Sequence, residues 1–183
     1  MKRLALLIAL LASLLLSGCS ESEPEALAAA VPIEAGDSCH VCGMLISEHP
    51  GPKGEAFLDP QGEALKFCST MDLFAFLRQP ENETRLSHAY VHDIGVTPWG
   101  QPSDEAFVLA SEALYVVGHD RRGAMGHTLA SFAERADAEA FLEVHGGELV
   151  SFDEIDLDLL GRLGRGELGG DSDAGMGDMH GHE

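Results

Sequence analysis

The sequence predicts an α+β fold of two similar ββαβ units in one compact domain, flanked by disordered N- and C-terminal tails. Three observations carry this. A Pro/Gly turn joins two short apolar segments ahead of a capped helix; the order strand, strand, helix, strand then recurs further along; and the two halves match at an offset of 65 residues, Phe67 on Phe132, Ala75 on Ala140, Phe76 on Phe141 and Leu77 on Leu142. The matches join the same predicted elements, and a doubled ββαβ unit is an ordinary α+β arrangement.

In the first half, Ala56-Phe57-Leu58 and Ala64-Leu65-Lys66-Phe67 flank Asp59-Pro60-Gln61-Gly62, the signature of a β-hairpin. Ser69 or Thr70 starts a helix running through Leu77, with Asp72 in its first turn and Pro80 beyond its end. Ala89 to Ile94 alternates as a strand does. In the second half, Ala113 to Gly118 and Thr128 to Phe132 are predicted strands. Asp137 to His145 is a helix with apolar Ala138, Phe141 and Leu142, stopped by Gly146-Gly147. Leu149 to Phe152 closes the unit as a strand, and Ile155 to Leu163 suits a last helix.

The ends differ in kind. Lys2 and Arg3 precede an apolar run from Leu4 to Leu16, shorter than the roughly 20 residues a membrane-spanning helix needs. Leu16-Ser17-Gly18-Cys19 follows and resembles a lipobox, in which the cysteine is lipidated and becomes the first residue. Residues 1–18 are therefore expected to be a signal peptide, with Cys19 the lipid-anchored residue. Residues 19–35, polar and then Ala-rich, are expected to be a tether. Residues 36–163 make the domain, and residues 164–183, rich in Gly, Asp, Met and His, a disordered tail. The charge is −20, more negative still once Lys2 and Arg3 are removed. That balance excludes a nucleic-acid surface.

The chemistry gathers in Cys39-His40-Val41-Cys42-Gly43-Met44. Two cysteines three apart on a tight turn direct both sulfurs at one centre, and Gly43 lets the chain fold back so that Met44 follows. Zinc knuckles and thioredoxin-like sites share this spacing. The first wants a further cysteine or histidine pair, and the second wants a helix where His49-Pro50-Gly51-Pro52 stands. With Cys19 lipidated three thiols remain, so at least one has no disulfide partner within the chain. Thiolate and thioether together favour copper(I). Met125, among small residues in Gly123-Ala124-Met125-Gly126-His127, has little core to fill and suits a ligand, with His127 beside it. Cys68 and Met71 are further candidates, although Met71 at helical spacing from Phe74 suits core packing equally. Met176, Met179, His180 and His182 in the tail offer loose capture of copper or are inert.

These blocks, with Pro50-Gly51-Pro52-Lys53-Gly54, Phe67-Cys68-Ser69-Thr70, Asp72-Leu73-Phe74, Met125-Gly126, Ala138-Glu139-Ala140-Phe141 and His145-Gly146-Gly147, resemble the NosL family from Cys39 to Phe152. The resemblance implies a copper(I) chaperone, a lipoprotein of the periplasmic face, supplying the catalytic copper–sulfur cluster of nitrous oxide reductase in denitrifying bacteria. It implies partnership with a β-helical periplasmic protein and its ABC transporter, and two ββαβ units related to organomercurial lyase. Met71, where many relatives carry Arg, and the Met/His tail depart from the pattern. The expected ligands are Cys39, Cys42, Met44 and Met125. The competing expectation is a periplasmic thiol-disulfide or organomercurial-type enzyme using Cys39, Cys42 and Cys68; against it, no acid stands obviously beside the cysteines in the sequence.

Overall fold

Two antiparallel sheets, each serving its own helix, organise the computed structural model, which describes residues 26–168. The first unit runs β1 (Gly54–Phe57), β2 (Leu65–Phe67), α1 (Thr70–Leu77), a short α2 (Pro80–Glu83), β3 (His88–His92) and β4 (Phe107–Leu109). The second runs β5 (Leu114–Val117), β6 (Ala130–Phe132), α3 (Arg135–His145), β7 (Glu148–Ser151) and a closing α4 (Leu157–Gly164). Strand order is β2-β1-β3-β4 in one sheet and β6-β5-β7 in the other. In both units the first strand lies between the second and third, so the expected repeat is a repeat of topology. Gly54 pairs with Phe67 as Leu114 pairs with Phe132.

Alternation along the strands decides what each face covers. Ala56, Phe67, Ala89 and Val91 of the first sheet turn to the main core, where Leu73, Phe74 and Leu77 of α1 meet them. Tyr115, Val117 and Val150 of the second sheet join the same core. Val116, Ala130 and Phe132, on the opposite face, pack with Phe141 and Leu142 of α3 in a second cluster. The halves are also tied by polar contacts. The Thr70 hydroxyl donates to the Leu129 carbonyl at 2.6 Å and accepts the Leu129 N–H at 3.1 Å. Arg78 donates from Nε to the Ile155 carbonyl, and its guanidinium lies over the Phe152 ring.

Several boundaries differ from those expected, each for a local reason. Pro80 does not simply end a helix but opens a new one at its first turn, where its missing N–H costs nothing. β4, too short to show alternation, is fixed only by pairing with β3. The helix expected from Ile155 begins at Leu157, capped by Asp156, whose side chain accepts the Leu159 N–H at 2.8 Å.

Within the stretch expected to be a tether, residues 26–35 lie along the outer face of the first sheet. The Ala28 carbonyl accepts from Tyr90 Oη at 3.0 Å and bonds His88 Nε2 at 2.9 Å; Val31 N–H donates to Glu55, and Lys66 Nζ donates to the Pro32 carbonyl at 2.7 Å. The expected tail likewise begins later than Gly164, for Leu168 is buried in the main core. The signal peptide, Cys19 and the tail residues Met176, Met179, His180 and His182 lie outside the described residues. No helix among those described is long and apolar enough to cross a membrane.

Candidate metal centre

The cysteine turn closes on itself before it meets the rest of the site. Cys39 N–H donates to the Met44 carbonyl and Gly43 N–H to the Cys39 carbonyl, each at 2.9 Å, while Ser38 and Leu45 form a bridge below them. Gly43 has φ 75°, the left-handed conformation that the fold-back requires and that a side chain would strain. His40 N–H donates to the Lys66 carbonyl at 2.9 Å, and its ring sits edge-on to Phe67 and Phe76. The turn is thereby pinned beside the end of β2, where Cys68 follows Phe67.

Cys68 sits just ahead of the α1 N-cap, Ser69, whose hydroxyl accepts the Asp72 N–H at 3.1 Å. Among the described residues, Cys39, Cys42, Cys68 and Asp72 bring their potential ligand atoms within 4.8 Å of one another. Cys42 Sγ is 3.5 Å from Cys68 Sγ, and all three cysteines are free thiols. Asp72 Oδ2 accepts from Cys68 Sγ at 3.1 Å and from Cys39 Sγ at 3.5 Å.

Burial, reinforced by the bond to Asp72, pushes the Cys68 thiol well above its ordinary range; burial also raises Cys42. Lys53 lies on the other side, nearly buried, donating to the carbonyls of His49, Pro50 and Cys68 at 2.6, 3.2 and 3.1 Å. Burial draws its ammonium down to about 8, although the sulfurs of Cys68 and Cys39 pull the other way. Burial thus makes the Cys42 and Cys68 thiols reluctant to lose their protons, with the Asp72 side chain as acceptor and the buried Lys53 close by.

The expected residues are distributed unevenly. Cys39 and Cys42 are in the cluster, and Cys68, expected only as a further candidate, is a full member. Met44 is half-buried on the cysteine turn. Met125 is 57% exposed in the tight turn bridged by Gly123 and Gly126, and the neighbouring Ala124 packs against the core that contains Cys39 and Cys68. Met71 packs against that core, the Cε methyl facing Gly164. His127 is outside the cluster and meets Arg122 at 2.6 Å in the second unit.

Asp72 is the residue that sequence reasoning missed, and the expectation that no acid stands beside the cysteines is corrected by it. The signal was present: Cys68 and Asp72 are four apart across a helix start, a spacing that stacks side chains on one face.

The family profile described as NosL matches residues 30–160. The chain belongs to the NosL family. A copper-binding lipoprotein NosL of Stutzerimonas stutzeri is 44% identical over 166 residues, covering 90% of this chain and 86% of that protein. The copper-binding lipoprotein NosL of Achromobacter cycloclastes is 35% identical over 158 residues, covering 84% and 80%. The crystal structure of the copper chaperone NosL from Shewanella denitrificans shares the fold, with TM-score 0.70 and 46% identity over 74% of this chain and 99% of that one. These NosL relatives are named for binding and carrying copper.

Proposed function

We propose that this protein carries one copper(I) ion as cargo at the periplasmic face of a bacterial membrane, anchored by lipid on Cys19. It delivers that ion for assembly of the catalytic copper–sulfur cluster of nitrous oxide reductase, through a β-helical periplasmic protein and its ABC transporter. The observation that carries the reading is the convergence of three unpaired cysteine sulfurs, Cys39, Cys42 and Cys68, beside one carboxylate. Copper(I) is soft and prefers thiolate and thioether to oxygen, so the sulfurs are the fitting donors and Met44 and Met125 the fitting neutral supplements. The names of the NosL relatives support the same metal.

The chain's own residues prepare the exchange. Cys39 and Cys68 hold their hydrogens against Asp72, and ligation by thiolate releases protons. Asp72 is suited to accept those thiol hydrogens rather than to ligate a soft ion. Cys42, the most exposed of the three sulfurs, offers the first point of contact for an incoming or departing ion.

The test is a copper(I) titration of the reduced mature chain against a strong chelator, with X-ray absorption spectra of wild type and of the Cys39→Ser, Cys42→Ser and Cys68→Ser variants. One tightly held equivalent in a sulfur-dominated shell is expected, weakened by loss of a ligating cysteine. Failure to hold one equivalent, or a shell of nitrogen and oxygen, overturns the reading. Delivery is tested separately: cells lacking the protein should make nitrous oxide reductase whose catalytic cluster is short of copper.

A further inference from the structure

Met125 belongs to the second unit and the cysteines to the first, so contacts across the two units set the spacing between them. Two anchors bracket the tight turn that carries Met125. Behind it the Thr128 hydroxyl meets the Thr70 hydroxyl at 2.9 Å, and Thr70 stands two residues after Cys68. Ahead of it the indole N–H of Trp99 donates to the Arg122 carbonyl at 3.0 Å. We propose that Trp99 is a positioning residue for copper(I), holding the Met125 turn at the distance from the cysteine sulfurs that ligation requires. The role rests on Met125 being a copper donor, as in the function proposed above.

Trp99 is tied to the cysteines as well as to the Met125 turn. Its carbonyl accepts the Gly51 N–H at 2.7 Å. Gly51 follows His49 and Pro50, whose carbonyls receive the Lys53 ammonium together with the carbonyl of Cys68. A chain of short contacts therefore runs from Cys68 through Lys53 and the Gly51 turn to Trp99, and on to Arg122. The fit at its middle is close. A Cβ at Gly51 would lie 3.3 Å from the indole and 3.4 Å from the Gly123 Cα, and φ there is 86°.

The indole is itself held in place. It is buried, with Phe141 stacked at 5.9 Å between ring centres and the Arg121 guanidinium 5.2 Å from its own centre. A ring so enclosed keeps its N–H aimed at the Arg122 carbonyl. Met125, by contrast, is largely exposed, so its place is set by the backbone of its turn rather than by burial of its own side chain. Hydrogen bonds one step removed from a metal ligand fix the ligand's position, and their loss weakens metal binding although the ligand remains.

The experiment titrates the reduced mature chain, in detergent, with copper(I) against a strong chelator, comparing wild type, Trp99→Phe, Met125→Leu and the double variant. Trp99→Phe keeps an aromatic ring and removes the donor. The chain has a single tryptophan, so its biosynthetic replacement by benzothienylalanine, which exchanges the indole N–H for sulfur and keeps the ring's shape, gives a second test should the phenylalanine variant not fold. Either change should weaken copper(I) binding about threefold or more, toward the loss seen with Met125→Leu. Neither should weaken it further when Met125 is already Leu, because both act through one sulfur. X-ray absorption should show the sulfur shell of the Trp99 forms moving toward that of Met125→Leu. Affinity unchanged in the Trp99 forms while Met125→Leu weakens binding, or losses that add in the double variant, overturns the positioning role alone. Affinity unchanged in Met125→Leu overturns Met125 as a donor, and the role of Trp99 with it.

Discussion

The sulfur of Cys68 lies 3.1 Å from the Asp72 carboxylate one helical turn further on, and the same oxygen receives Cys39 at 3.5 Å. One carboxylate therefore organises two thiols that are 29 residues apart in the chain. The arrangement separates two roles, soft donors for the ion and a hard acceptor for the protons those donors must lose.

Asp72→Asn should raise the reactivity of Cys68. Burial is the larger cause of its high pKa and Asp72 the next, so removing the charge lowers that pKa only in part. Alkylation of Cys68 by iodoacetamide at pH 8, followed by mass spectrometry, is expected to accelerate several-fold. Copper(I) affinity should hold within about threefold of wild type. A loss of ten-fold or more, about 1.4 kcal/mol, would make Asp72 a ligand instead.

Met125→Leu isolates a sulfur at little cost to the fold. The residue is 57% exposed, so the swap should alter unfolding free energy by less than about 0.5 kcal/mol. If the thioether ligates, chelator competition will show copper(I) affinity lower by roughly tenfold or more. Unchanged affinity would remove Met125 from the ligand set.

Glu55 is fully buried on the outer face of the first sheet, with Oε2 accepting the Val31 N–H at 3.0 Å and Oε1 unmatched. Burial raises its carboxyl to about 7 against an ordinary 4.5. The folded chain binds this proton more tightly than the unfolded chain, so its contribution is fully present below about pH 4.5 and is lost as pH rises through about 7. Glu55→Gln should flatten that slope, stabilising the protein at pH 8 by up to ~3 kcal/mol, at about 1.4 kcal/mol per unit of pKa. Urea unfolding at pH 4.5, 6 and 8 measures it, and an unchanged slope would contradict the assignment.

Cys19→Ala should leave copper(I) affinity unchanged and free the protein from the membrane. Phase separation in detergent checks it: the wild type is expected in the detergent phase. Processed variant still partitioning there would place the anchor elsewhere.

Truncation is best made after Leu168, because that side chain belongs to the main core. Removing residues 169–183 should slow copper uptake at low supply while preserving the tight site, since a Met/His segment raises local concentration without setting geometry. Stopped-flow uptake and equilibrium competition separate the two effects, and loss of the tight site would show that the segment supplies a ligand.

Much of this was legible in the sequence, because it depends on residues near one another along the chain. The Asp59-Pro60-Gln61-Gly62 turn, the Ser69 cap and Gly146-Gly147 mark local backbone preferences, and they placed the first hairpin, α1 and the end of α3 to within a few residues. The 65-residue offset revealed the repeat, since two helices packing on equivalent strands need apolar side chains at equivalent positions. The CxxC turn with Gly43 announced converging sulfurs for the same reason. Tertiary structure alone decided what came to meet that turn. β4 exists only through pairing with β3, and residues 26–35 acquire a fixed course only because Tyr90, His88, Glu55 and Lys66 offer them hydrogen bonds. Cys68 and Asp72 become parts of one site with Cys39 and Cys42 because His40 N–H finds the Lys66 carbonyl and holds the turn against the end of β2. No local preference encodes such a meeting; it follows from burying the apolar faces of two sheets and α1 in a common core, which fixes distances between residues that are remote in sequence.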